Sequence, residues 1–296
     1  MERRTGRQVL KVVVATDGSE GGKRAVGAAA QMPWPDGSEF KVVSVVERNS
    51  VFRAPETEAA LRRRAQEVVA AGARRLRPAG RPVSTAVLAG PAAQTILDAA
   101  RRWGADLIVV GWRGLRALER FALGSVSAGV VRAAPCSVLV VKGRLAAPLH
   151  AVMAVDGSKA ARRAAQQLAR LSGPGVVVTL VAVICPPRVR TLGLLPGSIV
   201  GKMEAEVKQA AAELERRALT EVRAVAMMFH HAGWKAELII RSGDPYREIV
   251  AATREVGVPL VAAGPRGVTG LERILLGSVA EQLLRQRAST SVLIGR

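Results

Sequence analysis

Aromatic residues are nearly missing from this chain: Phe, Trp and Tyr make up 3% of its 296 residues. The core must therefore be built from Ala, Val, Leu and Ile, and the aromatic platforms on which single-stranded nucleic acids stack are scarce. Cysteine is almost as rare. Cys136 and Cys185 are too few for a disulfide framework or a metal knuckle and fit a reducing compartment. There are three histidines. The adjacent pair His230-His231 lacks a third ligand nearby, so no metal site is expected. Long apolar runs are absent too: stretches such as Val176–Cys185 fall far short of the roughly 20 residues that span a bilayer. The opening run Val9–Ala15 is broken by Lys11 and cannot serve as a secretory signal. A cytoplasmic protein with no membrane partner is the expectation. Acidic residues are in deficit, 24 against 44 Lys plus Arg, for a net charge of +20. That charge favours acidic partners such as nucleotides or nucleic acid. Its spread along the chain, +12 in residues 1–147 and +8 in 148–296, reads as a solvated surface and leaves nucleic acid an unfavoured partner.

What is present is a globular composition, 49% apolar and 23% charged, in a chain long enough for two domains. The sequence is one module written twice. Val-Val-Val-Ala-Thr-Asp17-Gly18-Ser19 recurs as Ala-Val-Met-Ala-Val-Asp156-Gly157-Ser158, 139 residues on. Gly111-Trp-Arg-Gly114, then Leu123-Gly124-Ser125-Val126, recurs as Gly264-Pro-Arg-Gly267 and Leu276-Gly277-Ser278-Val279, 153 residues on. The 14 extra residues of the second module are best placed around Cys185–Ile199 and in a longer helix after it. The modules are expected to divide into domains 1–147 and 148–296, joined by a short link at Ala146-Ala147-Pro148.

Each module alternates strands with helices. In the first, strands are expected at Val9–Thr16, Lys41–Val46, Ser84–Leu88, Asp106–Val110 and Ser137–Val141. Helices are expected at Gly21–Gln31, Thr57–Leu76, Ala92–Trp103 and Val126–Ala133. The second repeats the order, with Gly201–His230 as its long helix and Val292–Ile294 as its last strand. Apolar strands alternating with helices predict an α/β fold with a mainly parallel sheet covered on both faces. Ligands in such sheets bind beyond the carboxyl ends of strands, at a switch point.

The repeated motifs fall at those ends. Asp17-Gly-Ser leaves strand one with a short acceptor that suits a ribose hydroxyl or an adenine edge; the same residues are also usual in turns and helix caps. Gly111-x2-Gly114-x9-Gly124-Ser125 recurs without a length change as Gly264-x2-Gly267-x9-Gly277-Ser278. Glycines after a strand let the backbone come close to a phosphate, and Gly-Ser opening a helix offers N–H groups and a dipole to an anion. Arg113 and Arg266 stand between the paired glycines, with Arg116, Arg120 and Arg273 further along, and could neutralise phosphate charge or face solvent. Trp112 and Trp234 read more naturally as packing residues than as a base platform.

These residues resemble the universal stress protein family over nearly the whole chain, in its tandem two-module form, and the glycine and serine spacing resembles its ATP-binding branch. The resemblance implies two tandem Rossmann-like (adenine nucleotide α-hydrolase-like) domains, each a five-stranded parallel sheet with helices on both faces. It also implies ATP, with Mg bound through the phosphates, in a site per domain. Adenosine would lie near Asp17 and Val45, and near Asp156 and Val183. Phosphates would lie on Gly111, Gly114, Gly124, Ser125, Val126 and Ser127, and on Gly264, Gly267, Gly277, Ser278 and Val279. Ala280 departs from Ser127 by lacking a hydroxyl, and Ala263 departs from Val110, so the first site should bind more tightly. The family's last strands pair, which points to Cys136–Val141 and Thr290–Ile294, an internal pseudo-dimer of domains, and a homodimer of chains.

No catalytic apparatus is legible. Gly-x4-Gly-Lys-Ser/Thr is missing, and no Ser-His-Asp or Cys-His arrangement is supported. The chain reads as an ATP-binding, stress-response regulator. Two alternatives stand beside it: an ATP-independent scaffold or nucleic-acid-associated protein, and a slow ATP hydrolase. The apolar stretch Arg190–Ile199 is a candidate lid or interface.

Overall fold

A computed structural model describes residues 9–47, 55–77, 80–114, 123–171, 175–185, 197–267, 276–286 and 289–296. The stretch Arg190–Pro196 of the candidate lid, and Arg116, Arg120 and Arg273, lie outside the described residues. Strands β1 (Lys11–Ala15), β2 (Glu39–Val46), β3 (Val83–Ala89), β4 (Leu107–Gly111) and β5 (Ser137–Val141) alternate with helices α1 (Glu20–Gln31), α2 (Pro55–Leu76), α3 (Ala92–Trp103) and α4 (Ser125–Ala133). The second module repeats the order: β6 (His150–Val155), α5 (Lys159–Ala169), β7 (Val177–Ile184), α6 (Gly197–His231), β8 (Lys235–Ser242), α7 (Pro245–Val256), β9 (Leu260–Ala263), α8 (Ser278–Arg285) and β10 (Ser291–Ile294). The extra length of module two sits largely in one helix, since α6 has 35 residues and α2 has 22.

Each module is a parallel five-stranded sheet, β3-β2-β1-β4-β5 and β8-β7-β6-β9-β10. The two sheets are one. β5 and β10 pair antiparallel, with Val140 opposite Val292 and Leu139 opposite Leu293, giving ten strands without a break. This is the pairing of last strands that the family resemblance implies, made within one chain. Alternate strand residues feed two apolar layers. Val12 and Val14 pack with α1, α2, α5 and α6 on one face; Val13 and Ala15 pack with α3, α4, α7 and α8 on the other. Both layers run through both modules.

The join is locked reciprocally. Lys142, just past β5, donates to the carbonyls of Leu283 (2.8 Å) and Gln286 (2.7 Å) at the end of α8. Arg296, the matching position past β10, donates to Val131 (2.7 Å) and Arg132 (3.1 Å) at the end of α4. Cations at helix C-termini meet the negative end of the dipole and satisfy orphan carbonyls. The backbone N–H groups of these two residues are themselves held by Ser291 and Ser137 hydroxyls, again one from each module. The indole of Trp112 joins the same contact, donating to Leu284 O at 3.2 Å.

Burial brings the Lys142 ammonium down to about 8 from its ordinary 10.5. Between those values the unfolded chain holds a proton that the folded chain has released, so this residue makes stability rise with pH from about 8 to about 10.5. Lys142→Met is expected to flatten that rise. Urea unfolding at about pH 7 and about pH 9.5 measures it, and equal pH slopes in parent and variant would contradict the assignment.

Candidate functional site

The order β3-β2-β1-β4-β5 reverses direction between β1 and β4, and a cavity of about 380 Å³ opens there beyond the strand ends. It is within the size range of small-ligand sites. Asp17, Val45, Gly111, Arg113, Gly114, Gly124, Ser125, Val126 and Ser127 all line it. Residues more than 100 positions apart in sequence thus meet where the motif reading places them.

Local geometry explains the glycines. Gly18, at φ 79°, adopts the left-handed turn that lets the chain leave β1 and enter α1; Gly157 does the same at φ 78°. Asp17 Oδ1 accepts from Ser19 N (3.0 Å) and Ser19 Oγ (2.5 Å), and Ser19 Oγ caps α1 by accepting from Gly22 N (3.1 Å). The turn-and-cap reading of Asp-Gly-Ser is therefore correct for one carboxylate oxygen. The other, Oδ2, lies 2.5 Å from where a Cβ on Gly114 would stand, on the inner side of the glycine loop. Gly111 is required by packing on the protein itself: a Cβ there would overlap the backbone of Gly21, and a Cβ on Gly21 would overlap the Arg113 carbonyl. The loop after β4 thus lies directly on the first turn of α1. Its far end is tied by Gly124 N to Trp112 O at 2.9 Å.

Helix α4 starts at this loop without a side-chain cap, unlike α1 and α5, which Ser19 and Ser158 cap. Its first-turn residues Ser125, Val126 and Ser127 line the cavity. A helix start of this kind offers N–H groups to an anion. The Ser127 hydroxyl is used differently from the expectation. It is buried and donates to Gly111 O at 2.6 Å, tying α4 to the end of β4. Arg113 lines the cavity with its guanidinium stacked 4.4 Å over Trp112, and Trp112 itself packs on the other module as a structural residue. Trp234 is buried, donates to Leu171 O (2.8 Å) and meets Phe229 edge-on, so it is a core residue.

Module two assembles the same landmarks. Asp156 Oδ1 accepts from Ser158 N (2.9 Å), and Oδ2 lies 2.7 Å from a Cβ position on Gly267. Gly277 N donates to Pro265 O at 2.7 Å, matching the tie between Gly124 and Trp112. Ser278 and Val279 open α8, again without a side-chain cap, and Val183 lies near the end of β7. Gly264 packs on α5, but Ala160 stands where module one has Gly21. Arg266 sits close enough to Arg296 to lower its pKa, after burial.

Several lining residues were not among the candidates. Leu61, Arg64, Ala65 and Val68 form the wall from α2, and Gly22, Ser44 and Glu47 contribute from elsewhere. The α2 residues recur at i, i+3, i+4 and i+7, the spacing of one helix face, which is a legible signal once that helix is known to cover the switch point. Glu47 Oε1 also accepts from Ala92 N (3.1 Å), starting α3. Among the described residues no group of three or more His, Cys, Asp or Glu could hold a metal ion. No helix of the described residues is long and apolar enough to cross a membrane. The Cys136 thiol is pushed up to about 12, chiefly by burial.

Comparison with known proteins agrees with this construction. The universal stress protein family profile matches residues 9–142 and again 149–296. A universal stress protein of Thermus aquaticus is 38% identical over 133 residues, covering 44% of this chain and 97% of its own. One from Methanocaldococcus jannaschii is 32% identical over 138 residues, covering 45% of this chain and 81% of its own. In fold, the crystal structure of a universal stress protein from Archaeoglobus fulgidus overlays 97% of this chain and 98% of its own at TM-score 0.65 and 19% identity. The chain belongs to the universal stress protein family and carries two copies of its module.

Proposed function

We propose that this chain is an ATP-binding regulatory protein, with its principal nucleotide site in the cavity of module one and a second site at the matching landmarks of module two. The observation that carries this reading is the convergence, at one switch point, of Asp17, the Gly111–Gly114 loop and the uncapped start of α4 around a cavity of about 380 Å³. Adenosine would lie against Val45 and Asp17. Phosphates would lie on Gly111, Gly114, Gly124 and the first turn of α4, with Arg113 balancing charge and Mg entering on the phosphates. Ser127 would act by holding that turn in place. The corresponding set in module two is Asp156, Val183, Gly264, Arg266, Gly267, Gly277, Ser278 and Val279.

Binding without rapid turnover is the reading carried forward, because the sequence has no Gly-x4-Gly-Lys-Ser/Thr motif whose lysine would grip the terminal phosphate. We put the module boundary at 147/148, between β5 and β6. Because β5 and β10 each have neighbours on both sides, an association of two whole chains would use another surface.

ATP at millimolar concentration is expected to raise the melting temperature by several degrees, since a ligand that binds only the folded state stabilises it by mass action. An unchanged melting temperature, with no heat of binding in calorimetry, would overturn the reading.

A further inference from the structure

The two switch points share their landmarks but differ in charge beside the Asp-Gly turn. In module one, Val68 of α2 closes the cleft beside Asp17-Gly18, its Cγ2 2.8 Å from where a Cβ on Gly18 would lie. The matching point in module two is Glu221 of α6, whose Cγ lies 3.3 Å from the Cβ position on Gly157. The two are 153 residues apart, the same offset as the glycine motifs, and each is followed by a buried valine, Val69 or Val222. Glu221 is paired with Arg162 of α5 at 2.6 Å. At the position equivalent to Arg162, module one has Lys23, which turns to Glu20 at 2.8 Å instead.

We infer that Glu221, held at the cleft by Arg162, makes module two the weaker ATP site, while the apolar wall of Val68 makes module one the stronger one. This rests on the nucleotide-binding reading above. Two physical effects point the same way. A carboxylate at the Asp156-Gly157 turn adds a second negative charge beside Asp156, unfavourable to a polyanionic ligand bound at that turn. A ligand closing on that wall must also strip water from the ion pair, whereas Val68 gains by being covered. If a phosphate drew Arg162 away, Glu221 would be left unpaired against the ligand.

The test is calorimetric titration with ATP of the parent chain, Glu221→Val and Val68→Glu, with thermal unfolding of each variant to establish that it is folded. The parent is expected to show two steps whose dissociation constants differ about tenfold or more. Glu221→Val should tighten the weak step toward the strong one and leave the strong step in place. Val68→Glu should weaken the strong step alone. Two equal sites in the parent, or a weak step that Glu221→Val does not move, would overturn the inference while leaving the nucleotide-binding reading standing. No binding at either site would remove both. Because Glu221→Val is a gain of affinity, loss of folding cannot imitate it.

Discussion

Gly21→Val is expected to disrupt the module-one site and to destabilise the fold by more than about 3 kcal/mol. The reason is steric. A side chain at Gly21 would enter the Arg113 carbonyl, and the partner position Gly111 is packed on the Gly21 backbone from the other side. Neither neighbour can yield as a flexible side chain would, because both contacts are backbone. To make room, the loop after β4 must lift from α1, taking Gly114 away from Asp17 and releasing the tie between Gly124 and Trp112. Stability and site geometry should therefore fall together. Chemical denaturation and ATP titration measure the two losses. A variant as stable as the parent would show that the loop is not seated on α1. Ala160, at the corresponding place in module two, shows that a single methyl is accommodated there, so Gly21→Ala should cost less than Gly21→Val.

Leu293→Asp is expected to be the most damaging single change at the join between modules. Leu293 is 2% exposed and Leu139, opposite it across β5 and β10, is fully buried. Both belong to the apolar layer that runs through α1 and α5. A carboxylate there has no cation to meet, and burying it unpaired costs on the order of 4–5 kcal/mol, unless the strands part to admit water. Because the layers are continuous across the modules, the parent should unfold in one cooperative transition. The variant should either fail to fold or show two transitions as the modules separate. Calorimetry distinguishes these outcomes; a single transition at the parent's temperature would contradict the continuous sheet.

These expectations show where the sequence was informative. The β-branched runs, the Asp-Gly-Ser turns and the glycine spacing lie close together in the chain and have local causes, so strands β1, β4 and β5 and the starts of α1 and α4 could be read to within a residue or two. The longer α6 could be read from the difference between the 139- and 153-residue offsets. What could not be read depends on which surfaces meet. Val68 and Arg64 look like ordinary positions on a basic helix until α2 is laid over the switch point. Gly21 looks like a poor helix residue until the Arg113 carbonyl is placed on it. Lys142 and Arg296 look like solvent cations, yet each ends the other module's last helix. Glu221 is one of several glutamates on α6 until its neighbour is seen to be Gly157. The Ser127 hydroxyl, expected to face phosphate, instead binds Gly111 O because the first turn of α4 packs closely on the end of β4.

The most direct test of the central claim is amide hydrogen exchange of the chain with and without ATP. Backbone donors at the start of α4 and in the glycine loop are the proposed phosphate ligands, and a ligand accepting their hydrogen bonds slows their exchange. Slowing concentrated in residues 15–22, 108–114 and 123–130, with a smaller effect at 154–161 and 276–283, is the result this account predicts. Uniform exchange in those segments despite saturating ATP, or slowing confined to the basic face of α2, would contradict it.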